Sequence, residues 1–191
     1  MASESFFDRF TLSSQRRGNE NAARFHRLLY ESAAFYLREE IDNMETIIER
    51  LQRYTGMNPN APILFDDAHS KGITYAQLDD MSARVYGWLK ANRIGKEDFV
   101  LIDLPRGVLP VVAMIGIWKA GAAWALVEDT YAPERIAYIR SDCGCKLEIS
   151  IDNWEDIMRI QPLAGHENPD DHDAAYAIYT SGTTGNPKGV L

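Results

Sequence analysis

The sequence predicts a layered α/β fold, built on a largely parallel sheet and preceded by a long helical segment. From residue 58 onward, short apolar runs of strand length alternate with stretches in which apolar residues recur every three or four positions. This alternation is typical of a parallel sheet that helices cover on both faces. Residues 19–54, by contrast, contain no proline and no glycine, and their apolar residues follow the helical period.

The first predicted element is a long helix over residues 19–54. Asn19 suits its N-cap, and Gly56 followed by Pro59 suits a stop. Its apolar stripe consists of Phe25, Leu28, Leu29, Phe35, Tyr36, Met44, Ile47, Ile48 and Leu51. A stripe of this width must pack against the rest of the chain, a second copy or another protein. We therefore expect a helical N-terminal extension, residues 1–56, and an α/β part, residues 57–191.

The α/β part begins with a short strand at residues 63–65 and a helix at residues 75–92. Ile73 and Thr74 lead into that helix, and Gly95 stops the chain from continuing it. The apolar residues of the helix fall on one face, which consists of Leu78, Met81, Val85, Trp88 and Leu89.

The remaining elements continue the alternation of strand and helix. Strands are expected at residues 99–104, 122–127, 146–151 and 174–179, and helices at residues 107–119, 133–140 and 154–158. Gly121 marks the end of the first of these helices, and Pro133 suits the first turn of the second. Residues 161–173 carry two prolines and four acidic residues, which is typical of a solvated loop.

Composition and charge exclude several classes of protein. Apolar residues make up 46% of the 191 residues, which is enough to fill a core. The chain has 20 basic and 28 acidic residues, a formal charge of -8, whereas nucleic acid requires a basic face. The most apolar stretch, residues 108–127, contains Pro110 and Lys119 and does not suit a membrane span, and no signal peptide is recognised. We therefore expect a cytoplasmic protein.

The two cysteines, Cys143 and Cys145, are separated by one residue. A disulfide between them is expected to be strained, and two thiols with only four histidines in the chain do not make a zinc site. We interpret them as small, buried thiols in a reducing cytosol. His166 and His172 share an acidic loop that is better explained as a solvated surface, so no metal site is predicted.

The stretch that carries chemistry follows the last predicted strand. Residues 180–189 read TSGTTGNPKG. Glycines let the backbone N–H groups approach an anion, hydroxyls donate hydrogen bonds to phosphate oxygens, and a lysine adds positive charge. A loop after a parallel strand is where α/β sheets bind phosphates, although Pro187 before the lysine does not fit the common ATPase pattern. The candidate phosphate-binding residues are Thr180, Ser181, Gly182, Thr183, Thr184, Gly185 and Lys188.

Three other features could suggest further functional sites, but the sequence does not favour any of them. Arg106, at a strand end, could meet an anion but is better explained as a surface or helix-cap residue. Trp118, Trp124 and Tyr131 follow helix and strand patterns that favour the core over a stacking platform. Ser181 has no histidine or aspartate partner in motif range, so a hydrolase nucleophile is not supported.

The loop resembles the phosphate loop of the adenylate-forming superfamily, which includes acyl-CoA synthetases, luciferases and the adenylation domains of nonribosomal peptide synthetases. Residues 73–78, ITYAQL, resemble the first core motif of those adenylation domains, (L)TYxEL. Residues 118–124, WKAGAAW, with ERI at residues 134–136, resemble the second, LKAGxAYVPIDPxYPxERI. The second motif favours amino-acid over fatty-acyl activation, and it departs from the family pattern at Leu126, Glu128, Asp129 and Ala132.

The resemblance implies a function for the intact enzyme. It would use ATP and Mg²⁺ to join an amino acid to AMP, release pyrophosphate and load the amino acid onto a carrier protein, beside neighbouring synthetase domains. Residues 180–188 would hold the β- and γ-phosphates. In this family the amino-acid pocket, the adenine and ribose contacts and the catalytic lysine all follow this loop, whereas the sequence ends at Leu191.

The resemblance therefore predicts an N-terminal fragment, truncated just after the phosphate loop, with no catalytic residue of its own and no activity alone. The amino acid cannot be named from it. The alternatives are a fragment of an acyl-CoA or aryl-acid ligase and a non-catalytic protein-interaction module. We also expect the chain to self-associate through its N-terminal helix.

Overall fold

Apart from two short strands that the sequence did not predict, Ile73–Thr74 and Lys188–Val190, the described elements follow one another in the predicted order. The computed structural model describes residues 45–66, 72–170, 172–180 and 187–191, so residues 19–44 of the predicted long helix lie outside it. The described helices are α1 (Ile47–Met57), α2 (Tyr75–Ala91), α3 (Val108–Lys119), α4 (Pro133–Asp142) and α5 (Ile151–Arg159). The described strands are β1 (Pro62–Leu64), β2 (Ile73–Thr74), β3 (Phe99–Asp103), β4 (Ala123–Leu126), β5 (Leu147–Ser150), β6 (Tyr176–Thr180) and β7 (Lys188–Val190).

Local sequence explains where two of the helices begin. The Thr74 hydroxyl accepts a hydrogen bond from the Gln77 N–H, and the Gln77 side chain accepts one from the Thr74 N–H. This reciprocal capping box starts α2. Pro133 occupies the first turn of α4, where its missing N–H costs nothing.

Five strands of the described part of the chain form one sheet, in the order β5-β3-β4-β6-β7. The first four run parallel, and β7 pairs antiparallel with β6. β1 and β2 form a separate antiparallel pair. The layered α/β fold with a largely parallel sheet is therefore confirmed.

Two cores lie on opposite faces of this sheet. The larger core lies between one face and the helices α1, α2, α3 and α5, and its central residues include Val85, Leu89, Val100, Ile102 and Ile157. The smaller core lies beneath α4 and includes Leu101, Val127, Ile139, Ala177 and Tyr179. Successive β3 residues point alternately into the two cores, as expected of a strand buried on both faces.

The sheet differs from the prediction at its β6–β7 edge. The sequence analysis missed β7, because a three-residue strand carries too little periodic pattern to recognise. Coverage of both faces also fails there, since Tyr176 and Ile178 of β6 are 40% and 50% exposed. The reason is that α3, which packs on β3 and β4, does not extend over this edge.

Residues 47–191 form one compact unit, which includes α1. Ile48 and Leu51, two members of the predicted apolar stripe, are buried in its core. They therefore pack within the chain and do not face a partner. The division into residues 1–56 and 57–191 stays a prediction. Among the described residues, no helix combines the length and the apolar character that crossing a membrane requires.

Candidate functional site

The predicted phosphate loop connects two strands that pair with each other. β6 runs parallel to β4 and ends at Thr180, and β7 starts at Lys188 and runs back antiparallel to β6. Thr180 lies directly opposite Lys188 in the register. The loop therefore leaves and re-enters the sheet at one place, the carboxyl end of the parallel strands, where open α/β sheets bind ligands.

Thr180 and Lys188 place a hydroxyl and an ammonium at the mouth of this loop. Both side chains are exposed, and residues directly opposite one another in an antiparallel pair project to the same face. No carboxylate of the described residues forms an ion pair with Lys188, so its charge is available to an anion. The other predicted contacts lie outside the described residues: Ser181, Gly182, Thr183, Thr184 and Gly185.

Tyr179 supports the hairpin from its buried face. Its hydroxyl donates a hydrogen bond to Oδ2 of Asp142, at the end of α4, over 2.8 Å. Its ring lies against Gly189 of β7, where an added Cβ would be 3.0 Å from Cζ of the ring. The glycine after the lysine thus lets the ring pack beneath β7. Sequence analysis had assigned this glycine to the loop alone, because nothing local indicates which ring it faces.

The exposed face of the hairpin continues from the polar mouth into apolar side chains. Ile178 lies opposite Val190, and both are at least half exposed. Tyr176 stacks on Trp124, with ring centroids 5.1 Å apart. Trp124 itself is buried, which agrees with its assignment to the core, whereas Trp118 is half-buried. An apolar surface of this hairpin therefore lies directly beside the candidate phosphate site.

An ion pair with a buried lysine joins the second motif to the residue that follows the first motif. Lys119, in the KAG sequence, is only 2% exposed. Its Nζ lies 2.7 Å from Oδ1 of Asp79 and donates a second hydrogen bond to the Asp79 carbonyl oxygen over 3.1 Å. Because a buried ammonium is stable only with such partners, this lysine ties α3 to α2. Sequence analysis did not predict this ion pair, since no local pattern reveals a partner forty residues away.

Two further residues of the second motif pack on each other. The Arg135 guanidinium carbon lies 3.9 Å from the centroid of the Tyr131 ring. Such a cation–π contact stabilises the turn into α4. Tyr131 therefore belongs to the packing of this helix, in agreement with the interpretation of its position.

A second concave region lies where β3 and β4 end. These strands lead into helices on opposite faces of the sheet, α3 and α4, and a cavity of about 190 Å³ forms between the two loops. Arg106, on its rim, is 77% exposed and pairs with Glu128 across the cavity over 2.6 Å. Because the arginine charge is matched within the protein, the structure agrees with a surface role and gives no support to an anion site.

The acidic loop after α5 is held to the body of the protein by ion pairs. Glu167 pairs with Lys90 and Asp173 pairs with Lys96, each over 2.8 Å. The hydrogen bonds from these lysines lower the pKa of both carboxyl groups. Nowhere in the described ranges do three or more histidine, cysteine, aspartate or glutamate side chains come together as metal ligands would. These acids thus fasten the loop.

Residues 51–191 match the sequence profile of one protein family, described as AMP-binding enzyme. That range holds α2, the buried Lys119–Asp79 pair, the parallel sheet and the β6–β7 hairpin. The chain belongs to the AMP-binding enzyme family.

Known proteins share this sequence and fold over part of their length. The chain is 37% identical over 147 residues to the probable non-canonical nonribosomal peptide synthetase CymA of Salinispora arenicola. The aligned region covers 76% of this chain and 2% of CymA. Its fold is similar to a Mycobacterium tuberculosis fatty acyl CoA synthetase, with a TM-score of 0.67, 23% identity and coverage of 78% of this chain and 34% of the synthetase.

The fold of the chain is also similar to that of a solved N-terminal subdomain. It is that of Klebsiella oxytoca NpsA in complex with 3-hydroxyanthranilyl-AMSN, with a TM-score of 0.65, 23% identity and coverage of 78% of this chain and 40% of that one. The chain therefore spans less than half of each of these relatives.

Proposed function

We propose that this AMP-binding chain is the N-terminal part of an amino-acid-activating adenylation domain of nonribosomal peptide synthesis. The whole enzyme would attack the α-phosphate of ATP with an amino-acid carboxylate, release pyrophosphate and pass the aminoacyl group to a carrier-protein thiol. The proposal is supported by the peptide-synthetase form of both upstream motifs and by 37% identity to a peptide synthetase over 147 residues.

The observation that carries the proposal is the hairpin mouth, where Thr180 lies opposite Lys188, an exposed lysine that no carboxylate of the described residues pairs with. In the proposed reaction the loop at residues 180–188 binds the β- and γ-phosphates. Lys188 opposes the negative charge that develops on the leaving pyrophosphate, and the hydroxyls and backbone N–H groups hold its oxygens in place. Mg²⁺, when bound with ATP, supplies further charge neutralisation on the phosphates.

Ligand binding by the 191-residue chain tests this role of the loop. We expect ATP and pyrophosphate to bind at about millimolar strength, about -4 kcal/mol, and AMP to compete poorly, because the loop contacts only the outer phosphates. Lys188→Gln should weaken binding at least about fivefold, roughly 1 kcal/mol, through loss of a charge-assisted contact. Calorimetry measures each affinity.

Two matched variants control this experiment. Lys188→Arg keeps the positive charge and should bind ATP nearly as well as the wild type. Lys146→Gln removes another exposed lysine, which pairs with Asp98 just before β3, at the opposite end of the sheet. This variant should bind ATP as the wild type does. Equal loss of ATP binding in the Lys146 variant, or AMP binding as tightly as ATP, would contradict the assignment of the loop.

We also propose that the chain alone does not complete the reaction, since it spans less than half of the matched solved chains. An ATP–pyrophosphate exchange assay with a mixture of amino acids should show no turnover. Exchange by the 191-residue chain would refute this part of the proposal.

The main alternative is part of an acyl-CoA or aryl-acid ligase. It is favoured by the fold similarity to a fatty acyl CoA synthetase, at a TM-score of 0.67. The discriminating measurement is pyrophosphate exchange by the full-length gene product with amino acids, fatty acids or aryl acids as the carboxylate. Exchange confined to fatty or aryl acids would overturn amino-acid activation.

A role as a non-catalytic interaction module is the second alternative. It is favoured by the exposed apolar face of the hairpin, where Tyr176, Ile178 and Val190 lie side by side.

We propose that the chain self-associates and forms a dimer or larger assembly in solution, with the N-terminal helix taking part.

Light scattering tests this assembly on the intact chain, on an Ile178→Lys variant and on a chain starting at Glu45, which keeps α1 and its buried Ile48 and Leu51. Dissociation of the Ile178→Lys variant alone would assign the contact to the hairpin face, and dissociation of the shortened chain alone would assign it to the helix. A strictly monomeric intact chain would end the proposal.

A further inference from the structure

The end of α4 holds the two cysteines of the chain in one rigid turn. The Cys143 N–H donates to the Ile139 carbonyl over 3.1 Å, and the Cys145 N–H donates to the Arg140 carbonyl over 3.1 Å. Gly144, between them, has a φ of 62°. This is the glycine-terminated turn that commonly closes helices, and it fixes the backbone on both sides of the glycine.

This turn brings the two thiols into direct contact. The Sγ atoms of Cys143 and Cys145 lie 2.6 Å apart, and both residues are half-buried, with the exposed Gly144 and Lys146 beside them. The expectation of two buried thiols is therefore wrong in one respect: both cysteines are only half-buried. The reason is that the helix end places them against the edge of the smaller core and not inside it.

The surroundings of the pair distinguish its two sulfurs. The hydrogen bond between the two sulfurs lowers the pKa of Cys143 to about 7. The hydrogen bond with Cys143, together with burial, raises the pKa of Cys145. The lower pKa makes Cys143 the better nucleophile of the pair.

We propose that Cys143 and Cys145 form a reversible disulfide when the chain meets a small-molecule disulfide such as oxidised glutathione. The Cys143 thiolate attacks one sulfur of the oxidant, whose S–S bond breaks and releases one thiolate, which takes up a proton. The Cys145 sulfur then loses its proton to solvent and attacks the Cys143 sulfur of the mixed disulfide. The second thiolate leaves and is protonated, so both electrons end on the oxidant.

The same geometry makes this disulfide easy to reduce. A ring closed across a single intervening residue is strained, and strained disulfides have the more oxidising potentials that belong to reversible redox sites. The site also lies beside the hairpin, because Tyr179 contacts Asp142 through its hydroxyl and Gly189 through its ring. Oxidation of Cys143 would therefore take place in the core cluster that also contains Tyr179, at the base of the candidate phosphate-binding hairpin.

Mass spectrometry of the intact chain tests the proposal. After incubation with oxidised glutathione, the wild-type chain should lose two hydrogen atoms in mass and take up no iodoacetamide, and dithiothreitol should restore both alkylation sites. Cys145→Ser should stop at a mixed disulfide that carries one glutathione on Cys143. Accumulation of the mixed disulfide in the wild type, or disulfides between chains on a non-reducing gel, would overturn the proposal.

Two substitutions at Gly144 test whether the turn itself brings the sulfurs together. Asparagine tolerates a positive φ, so Gly144→Asn should still form the internal disulfide. Valine does not tolerate it, so Gly144→Val should accumulate the mixed disulfide at least about tenfold over wild type. Circular dichroism checks that both variants fold, and if the valine variant does not, the serine and asparagine variants carry the test. Equal internal oxidation in folded valine and asparagine variants would refute the role of the turn.

Discussion

Gly116 in α3 lies where this helix crosses α2, and an added methyl group tests how closely the two helices pack. A Cβ at this position would lie 2.5 Å from both Cβ and Cγ1 of Val85 and 2.8 Å from the Ser82 carbonyl oxygen. The Ser82 oxygen belongs to the backbone, and the Val85 Cβ is fixed directly to it. A change of side-chain rotamer therefore does not relieve the contact. Gly116→Ala must therefore push α2 and α3 apart.

The change in the free energy of unfolding of Gly116→Ala is the sum of two opposing contributions. Overpacking of a closely packed interior costs about 1–3 kcal/mol, and the rigid neighbours at Gly116 place the cost at the upper end. Alanine returns about 1 kcal/mol of helix propensity relative to glycine. The expected loss in the free energy of unfolding is therefore about 2 kcal/mol. With a urea m-value of about 2 kcal/mol/M, the midpoint of urea unfolding should fall by about 1 M.

Two other helical glycines of the chain provide matched controls. Gly56 in α1 has no atom within 4 Å of an added Cβ, so Gly56→Ala should stabilise the protein by up to about 1 kcal/mol. At Gly87 in α2 the nearest atom, the Gln161 carbonyl oxygen, is 3.0 Å away, and Gly87→Ala should be nearly neutral. If Gly116→Ala proves as stable as Gly56→Ala, the reasoning from close helix packing is wrong.

Two further predictions concern single side chains. Lys119→Ala should lower the free energy of unfolding by about 3 kcal/mol. This is the lower end for a broken buried pair, because Asp79 keeps some contact with water. Lys90→Ala, which breaks an exposed ion pair, should lower it by less than about 1 kcal/mol. A similar cost for the two lysine variants in urea unfolding would contradict the assigned role of Lys119. The alkylation rate of Cys143 should rise with pH through a midpoint near 7, since only the thiolate reacts, and Cys145→Ala should slow it about tenfold at pH 7. A midpoint near the ordinary value in the wild type would refute the sulfur–sulfur hydrogen bond.

The sequence by itself determined the identity and order of most elements, because the signals for them are local. The capping box at Thr74 and Gln77 acts within four residues, and Pro133 acts at its own position. The alternation of apolar strands with amphipathic helices predicts a parallel sheet without any long-range information. Thr180 and Lys188 were also predicted from residue types and their order, and their role in binding phosphate stays a prediction.

Only the tertiary structure decided which residues meet. The sheet order places β5 and β4 on opposite sides of β3, and this choice decides which faces remain uncovered. β7 is a strand because β6 offers it a free edge, and its own sequence carries no sign of this. Lys119 is buried because α2 brings Asp79 to it, and the two cysteines touch because the turn at Gly144 folds back. Contacts between distant residues depend on packing geometry, and a local pattern of residue types carries no record of that geometry.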